Sequence, residues 1–131
     1  MDAQKLEKVK EIIQSHPEIK LAYFFGSQAT GNTGPMSDYD FAVYIDGLDG
    51  RERFDIKIKL MTSISSVLKT DAVDVVILND LDMPELAYDI VAEGIVLHED
   101  EPYRLLVEPR ILESYFDFHT MLKKYGLTRV P

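Results

Sequence analysis

From Asp38 to Ile45 the chain alternates with a period of two. Tyr39, Phe41, Val43 and Ile45 fall on one face, and Asp38, Asp40, Ala42 and Tyr44 on the other. Such a segment is a strand whose bulky face must be covered by other elements, and whose second face begins with two carboxylates. Cα atoms two residues apart in a strand are separated by about 6.6 Å, so both carboxylates can lean onto one cation. Like charges at that spacing repel, and a hard, oxygen-seeking ion such as Mg²⁺ relieves the repulsion. Taken alone, an Asp-x-Asp at a strand start is equally well a solvated pair or a cap on the preceding loop.

The neighbouring segments give the pair a context. Leu21-Ala22-Tyr23-Phe24-Phe25 is short, apolar and aromatic, a buried strand that runs directly into Gly26-Ser27. A glycine allows backbone to approach a phosphate closely, and the following N–H groups and hydroxyl can cradle anionic oxygens. Gly26 and Ser27 would therefore set an anion cradle beside the cation site of Asp38 and Asp40. Asp74 lies within the apolar run Val73 to Leu78, where an unpaired carboxylate is costly to bury, so it calls for a metal, a cation or the mouth of a site. Asp71, at the start of that strand, reads as a turn residue.

The rest of the chain alternates helix and strand. Leu6, Val9, Ile12 and Ile13 mark a helix over 2–14, ended by Ser15-His16-Pro17. Residues 28–37 read as a loop with one helical turn. Asp49 and Glu52 are spaced as a capping box, and the helix they open carries Phe54, Ile58, Met61, Ile64 and Leu68 as an expected buried stripe. A strand is expected over 71–78, a helix from Pro84 to about Ala92 stopped by Gly94, and a fourth strand over 95–98. A last helix is expected over about 108–125, in which Tyr115, Phe116, Phe118 and Tyr125 pack on the sheet or form a docking face. This order predicts an α/β (α+β) sandwich, one small mixed sheet with helices packed against it, as a single domain over 1–131.

Composition narrows the function. Lys and Arg total 14 against 23 Asp and Glu, a formal net charge of −9. Grip on nucleic acid draws on a basic face, so direct nucleic-acid binding is not expected. A basic protein would be attracted, and a bare nucleotide repelled unless a metal intervenes. With no Cys there is no disulfide, thiolate zinc site or thiol nucleophile. No apolar run is long enough for a membrane span, and the charged N-terminus lacks a secretory pattern, so a cytoplasmic location is expected. His16, His98 and His119 are scattered and read as structural. Tyr44, on the aspartate face, is a candidate to line a nucleotide site.

Gly26-Ser27, ten intervening residues and Asp38-Tyr39-Asp40 resemble the Gly-Ser-x₁₀-Asp-x-Asp signature of the nucleotidyltransferase superfamily related to DNA polymerase β, and Asp74 in Val-Asp-Val-Val matches its third acidic strand. The similarity covers roughly Leu21 to Leu78, and the remainder resembles the short stand-alone members, the minimal nucleotidyltransferases. It implies the polymerase β-like fold and transfer of a nucleoside monophosphate from an NTP. It also implies that Asp38, Asp40 and Asp74 hold two Mg²⁺ ions and carry the catalysis, while Gly26 and Ser27 bind the nucleotide. Gln28 departs from the basic or aromatic residue common after Gly-Ser, removing one phosphate contact. Among stand-alone members the chain is similar to the antitoxins of HEPN–MNT toxin–antitoxin pairs, which implies ATP as substrate and AMP transfer to a hydroxyl of a HEPN RNase toxin. The alternatives are a small-molecule (aminoglycoside-type) nucleotidyltransferase, a non-catalytic binding module that neutralises its partner sterically, and a simple NTP-binding regulator.

Overall fold

The alternation in β2 (Tyr39–Ile45) is resolved by a four-stranded sheet in the order β3-β2-β1-β4, with β1 at Ile19–Phe25, β3 at Val73–Ile77 and β4 at Ile95–Glu99. The computed structural model describes residues 1–31 and 38–126. β1 pairs antiparallel with both β2 and β4, whereas β2 and β3 are parallel. A parallel pair requires a crossover, and the 19-residue α3 (Gly50–Leu68) supplies it. Its start is fixed by the expected capping box: Glu52 N–H donates to the Asp49 carboxylate at 2.9 Å, and Asp49 N–H to the Glu52 carboxylate at 3.2 Å.

Two layers of helix sandwich the sheet. α1 (Ala3–Gln14) and α3 cover the face bearing Phe41, Val43 and Val75, through Val9, Ile13, Leu60 and Ile64. α4 (Pro84–Glu93) and α5 (Tyr103–Lys124) partly cover the opposite face, where Leu21, Tyr23 and Ala42 meet Ile90 and Val107. Two side chains pin this second layer. The Tyr23 hydroxyl donates to Glu108 at 2.9 Å, and Asn79, in the 3-10 turn Leu78–Asp80, brackets Ile45 by accepting from its N–H and donating to its C=O.

Several expectations shift. β1 begins at Ile19, two residues earlier than expected, with Ile19 fully buried. β3 is confined to Val73–Ile77: Asp71 accepts a turn hydrogen bond from Val73 N–H at 2.9 Å, and Leu78 starts the 3-10 turn. The helical turn expected within 28–37 is α2 (Ser27–Thr30), and residues 32–37 of that loop lie outside the described residues. The buried stripe of α3 is Ile56, Leu60, Ile64 and Leu68, while Phe54 and Ile58, expected in the core, are exposed. The last helix starts at Tyr103, not Glu108, and carries Pro109 within it. Among the described residues, no helix is long and apolar enough to cross a membrane.

Candidate active site

Phe25, the last residue of β1, lies opposite Asp40, and Asp40 lies opposite Asp74 across the parallel β2–β3 pair. Neighbouring strands run about 4.8 Å apart, so this row sets two carboxylates side by side near the start of both strands. By strand alternation Asp40 shares a face with Ala42, and Asp74 with Val76; both of those pack toward α4 and α5, so the carboxylates occupy that same face. Asp38 stands exposed just before β2, two residues from Asp40.

Gly26 lies against this row. Its backbone adopts φ +82°, a region that favours glycine, and a Cβ there would overlap the Asp40 carboxylate oxygen Oδ2 and approach its Cγ to 3.2 Å. The missing side chain is therefore what lets the end of β1 close over Asp40. Ala29 and Thr30 N–H groups both donate to the Gly26 carbonyl at 3.1 Å, turning the chain into α2 and presenting half-buried Ser27 at its start.

The electrostatics follow from this crowding. Burial, then repulsion from Asp74 and from Asp38, holds the Asp40 carboxyl above its ordinary value. Among the described residues, no three carboxylate or imidazole side chains already converge as a metal cage. The donor set nevertheless fits Mg²⁺: hard carboxylate oxygens, mutually repelling, with neither thiol nor imidazole competing in the row.

A groove of about 380 Å³ opens beside Gly26 and Ser27, bounded across from them by Leu86, Asp89 and Glu93 of α4. Sequence reasoning did not single out this trio, although its spacing of three and four residues puts it on one helix face. Tyr44 lines a different cleft, also about 380 Å³, with Asn79, Arg110 and Ser114 toward the far end of β2. Two of the histidines pair with other carboxylates: His98 Nε2 lies 3.5 Å from Asp100, and His119 Nε2 lies 3.6 Å from Glu85.

Known proteins share this fold. The crystal structure of a toxin–antitoxin with AMP-PNP contains a chain 25% identical to this one, with a TM-score of 0.72 over 92% of this chain and 94% of that one. The same fold occurs in the tri-AMPylated Shewanella oneidensis HEPN toxin in complex with its MNT antitoxin, at 24% identity, a TM-score of 0.70 and 95% of each chain. In sequence, the protein adenylyltransferase MntA of Aphanizomenon flos-aquae (strain 2012/KM1/D3) is 29% identical over 108 residues, covering 75% of this chain and 69% of that protein. The profile of the family described as Polymerase beta, Nucleotidyltransferase matches residues 7–103, from α1 through the carboxylate row to the start of α5, and the chain belongs to that family.

Proposed function

We propose that this chain is a protein adenylyltransferase that moves AMP from ATP to a hydroxyl of a partner protein, a HEPN RNase toxin, and thereby acts as its antitoxin. The observation that carries the site is the opposition of Asp40 and Asp74 beside Gly26. That geometry supports a phosphate cradle at Gly26 and Ser27 set next to the carboxylate row. The acceptor and donor draw support from the relatives, one a named protein adenylyltransferase and one a toxin–antitoxin assembly holding an ATP analogue. The HEPN class of the toxin rests on the chain's resemblance to the stand-alone antitoxins of HEPN–MNT pairs, since the Gly26-Ser27 and Asp38-x-Asp40 signature is common to the whole superfamily.

Asp38, Asp40 and Asp74 would hold Mg²⁺. When bound, the ion neutralises the triphosphate and stabilises charge developing on the attacking and leaving oxygens. The protein's own groups do the rest. The Gly26 backbone leaves room for a phosphate to approach, and the Ser27 hydroxyl donates to it. The acceptor oxygen attacks the α-phosphorus in line, the bond to pyrophosphate breaks, and the acceptor's proton passes to the Asp74 carboxylate. The missing basic residue at Gln28 leaves a looser hold on the triphosphate.

The test uses ATP labelled on the α-phosphate, Mg²⁺, and the HEPN toxin of the source organism. Label on the toxin with the native chain, and none with Asp38→Ala/Asp40→Ala, is the expected result. Label on a small molecule instead would point to small-molecule transfer. Full neutralisation of the toxin by the double variant would make the chain a steric binding module.

A further inference from the structure

α5 is long, yet Val107 is its one buried residue among those described. The side that meets α4 is held by Val107, Ile111 and the Tyr115–Tyr88 stack, whose ring centroids lie 4.0 Å apart. Facing away runs a second apolar stripe, Leu105, Pro109, Leu112 and Phe116, at steps of four, three and four. Leu105 is 78% exposed, Phe116 59% and Leu112 36%. The stripe covers eleven residues of rise, about 16 Å of helix, a length suited to contact with another helix. A helix with apolar residues on both faces that is packed on one face only has a second partner to find.

The surroundings say what kind of partner. A groove of about 490 Å³ runs beside Leu105, Pro109 and Leu112, edged by Glu99, Glu101 and Glu108 against a single arginine, Arg104. Arg104 is already engaged, 3.5 Å from Glu99 and 2.9 Å from Glu108. The groove thus combines an apolar floor with an excess of negative charge. A second copy of a chain of net charge −9 would bring like charge to that rim.

We propose that this outer face of α5 docks the acceptor protein, through a helix of the acceptor that presents apolar side chains flanked by Lys or Arg. This rests on the protein-acceptor reading of the active site and supplies what that site lacks, a surface that holds the acceptor while its hydroxyl is presented. Helix-in-groove docking of this kind is carried by a few apolar anchors, with rim charges setting orientation and encounter rate.

The experiment measures binding of the HEPN toxin to the native chain and to Leu105→Arg/Leu112→Arg, by calorimetry without ATP. Both positions are exposed, and an unchanged Tm together with unchanged Mg-ATP affinity checks that the fold and the active site are intact. The expected result is a toxin Kd raised about tenfold or more in the variant. A companion variant, Glu101→Lys, is expected to slow association and flatten its salt dependence. Unchanged toxin affinity in Leu105→Arg/Leu112→Arg overturns the proposal. So does a native chain that is dimeric alone and becomes monomeric in that variant, since the face would then belong to a second copy. Because binding is read without ATP, a toxin that binds through this face but receives no AMP would overturn the transferase reading and leave the docking surface standing.

Discussion

Gly26 and Asp40 interlock, and each makes a sharp prediction. At Gly26 the positive φ and the overlap of any Cβ with the Asp40 carboxylate act together, so relief of one does not relieve the other. Gly26→Ala is expected to lower stability by about 1–3 kcal/mol and to remove AMP transfer by displacing Asp40, both read by urea unfolding and labelled-ATP assay. Native stability in that variant would mean the β1–α2 turn has another conformation available. At Asp40, burial and the neighbouring carboxylates raise the folded-state pKa above the 3.8 of a free side chain. The folded state therefore holds the proton more tightly than the unfolded chain. The ionised group costs stability above the folded pKa, and the cost fades as pH falls through that value toward 3.8. In metal-free buffer at pH 7, Asp40→Asn is expected to melt higher than the native protein, and the gap to close below about pH 4. A native protein as stable as the variant across that range would mean the carboxylates do not strain one another. The Asp38–Asp40 pair was legible because a period of two needs nothing but spacing. The role of Gly26 against Asp40 was not, since that contact depends on which strand lies beside which.

Elements whose partners are local were the readable ones. The α3 capping box is visible as Asp49 and Glu52 because it closes within four residues. The α3 stripe was read correctly at Ile64 and Leu68 but misplaced at its start, because Phe54-Ile58 and Ile56-Leu60 both keep helical spacing and only packing against the sheet decides between them. The start of α5 was missed for a different reason. Pro109 looks like a first-turn proline, yet the helix already runs from Tyr103 and accommodates it. Asn79 shows how a long-range contact escapes sequence reasoning altogether. Its side chain meets both backbone groups of Ile45, 2.9 Å from the N–H, and so continues the hydrogen bonding of β2 beyond the end of β3. Asn79→Ala leaves two main-chain groups unpaired and is expected to cost about 1–3 kcal/mol, measured as a fall in the urea midpoint with unchanged slope. Asn79→Asp, which keeps the acceptor and loses the donor, should fall between. If Asn79→Ala unfolds at the native midpoint, water replaces the side chain without loss and the bracket is incidental to the fold.

For the molecule as a whole, the excess of nine negative charges acts in opposite senses on the two substrates. Asp38, Asp40 and Asp74 in and beside the carboxylate row, and Asp89 and Glu93 across the groove from Ser27, put negative charge around the proposed nucleotide site. ATP therefore meets repulsion that a divalent cation must offset, whereas a basic acceptor is drawn in. The acceptor proposed here degrades RNA, and a surface that grips RNA is basic because counterion release drives that grip. At 0.1 M salt, charges further apart than about 10 Å are largely screened, so the two substrates should respond to salt in opposite directions. Between 50 and 300 mM NaCl the association rate of the toxin is expected to fall by about tenfold or more, while Mg-ATP affinity holds steady or improves. Stopped-flow association of labelled toxin and calorimetric titration of Mg-ATP, run across the same salt series, separate the two. A toxin association rate flat across that series would show that the acidic surface plays no part in capture, leaving apolar contact alone to bring the acceptor to the carboxylate row.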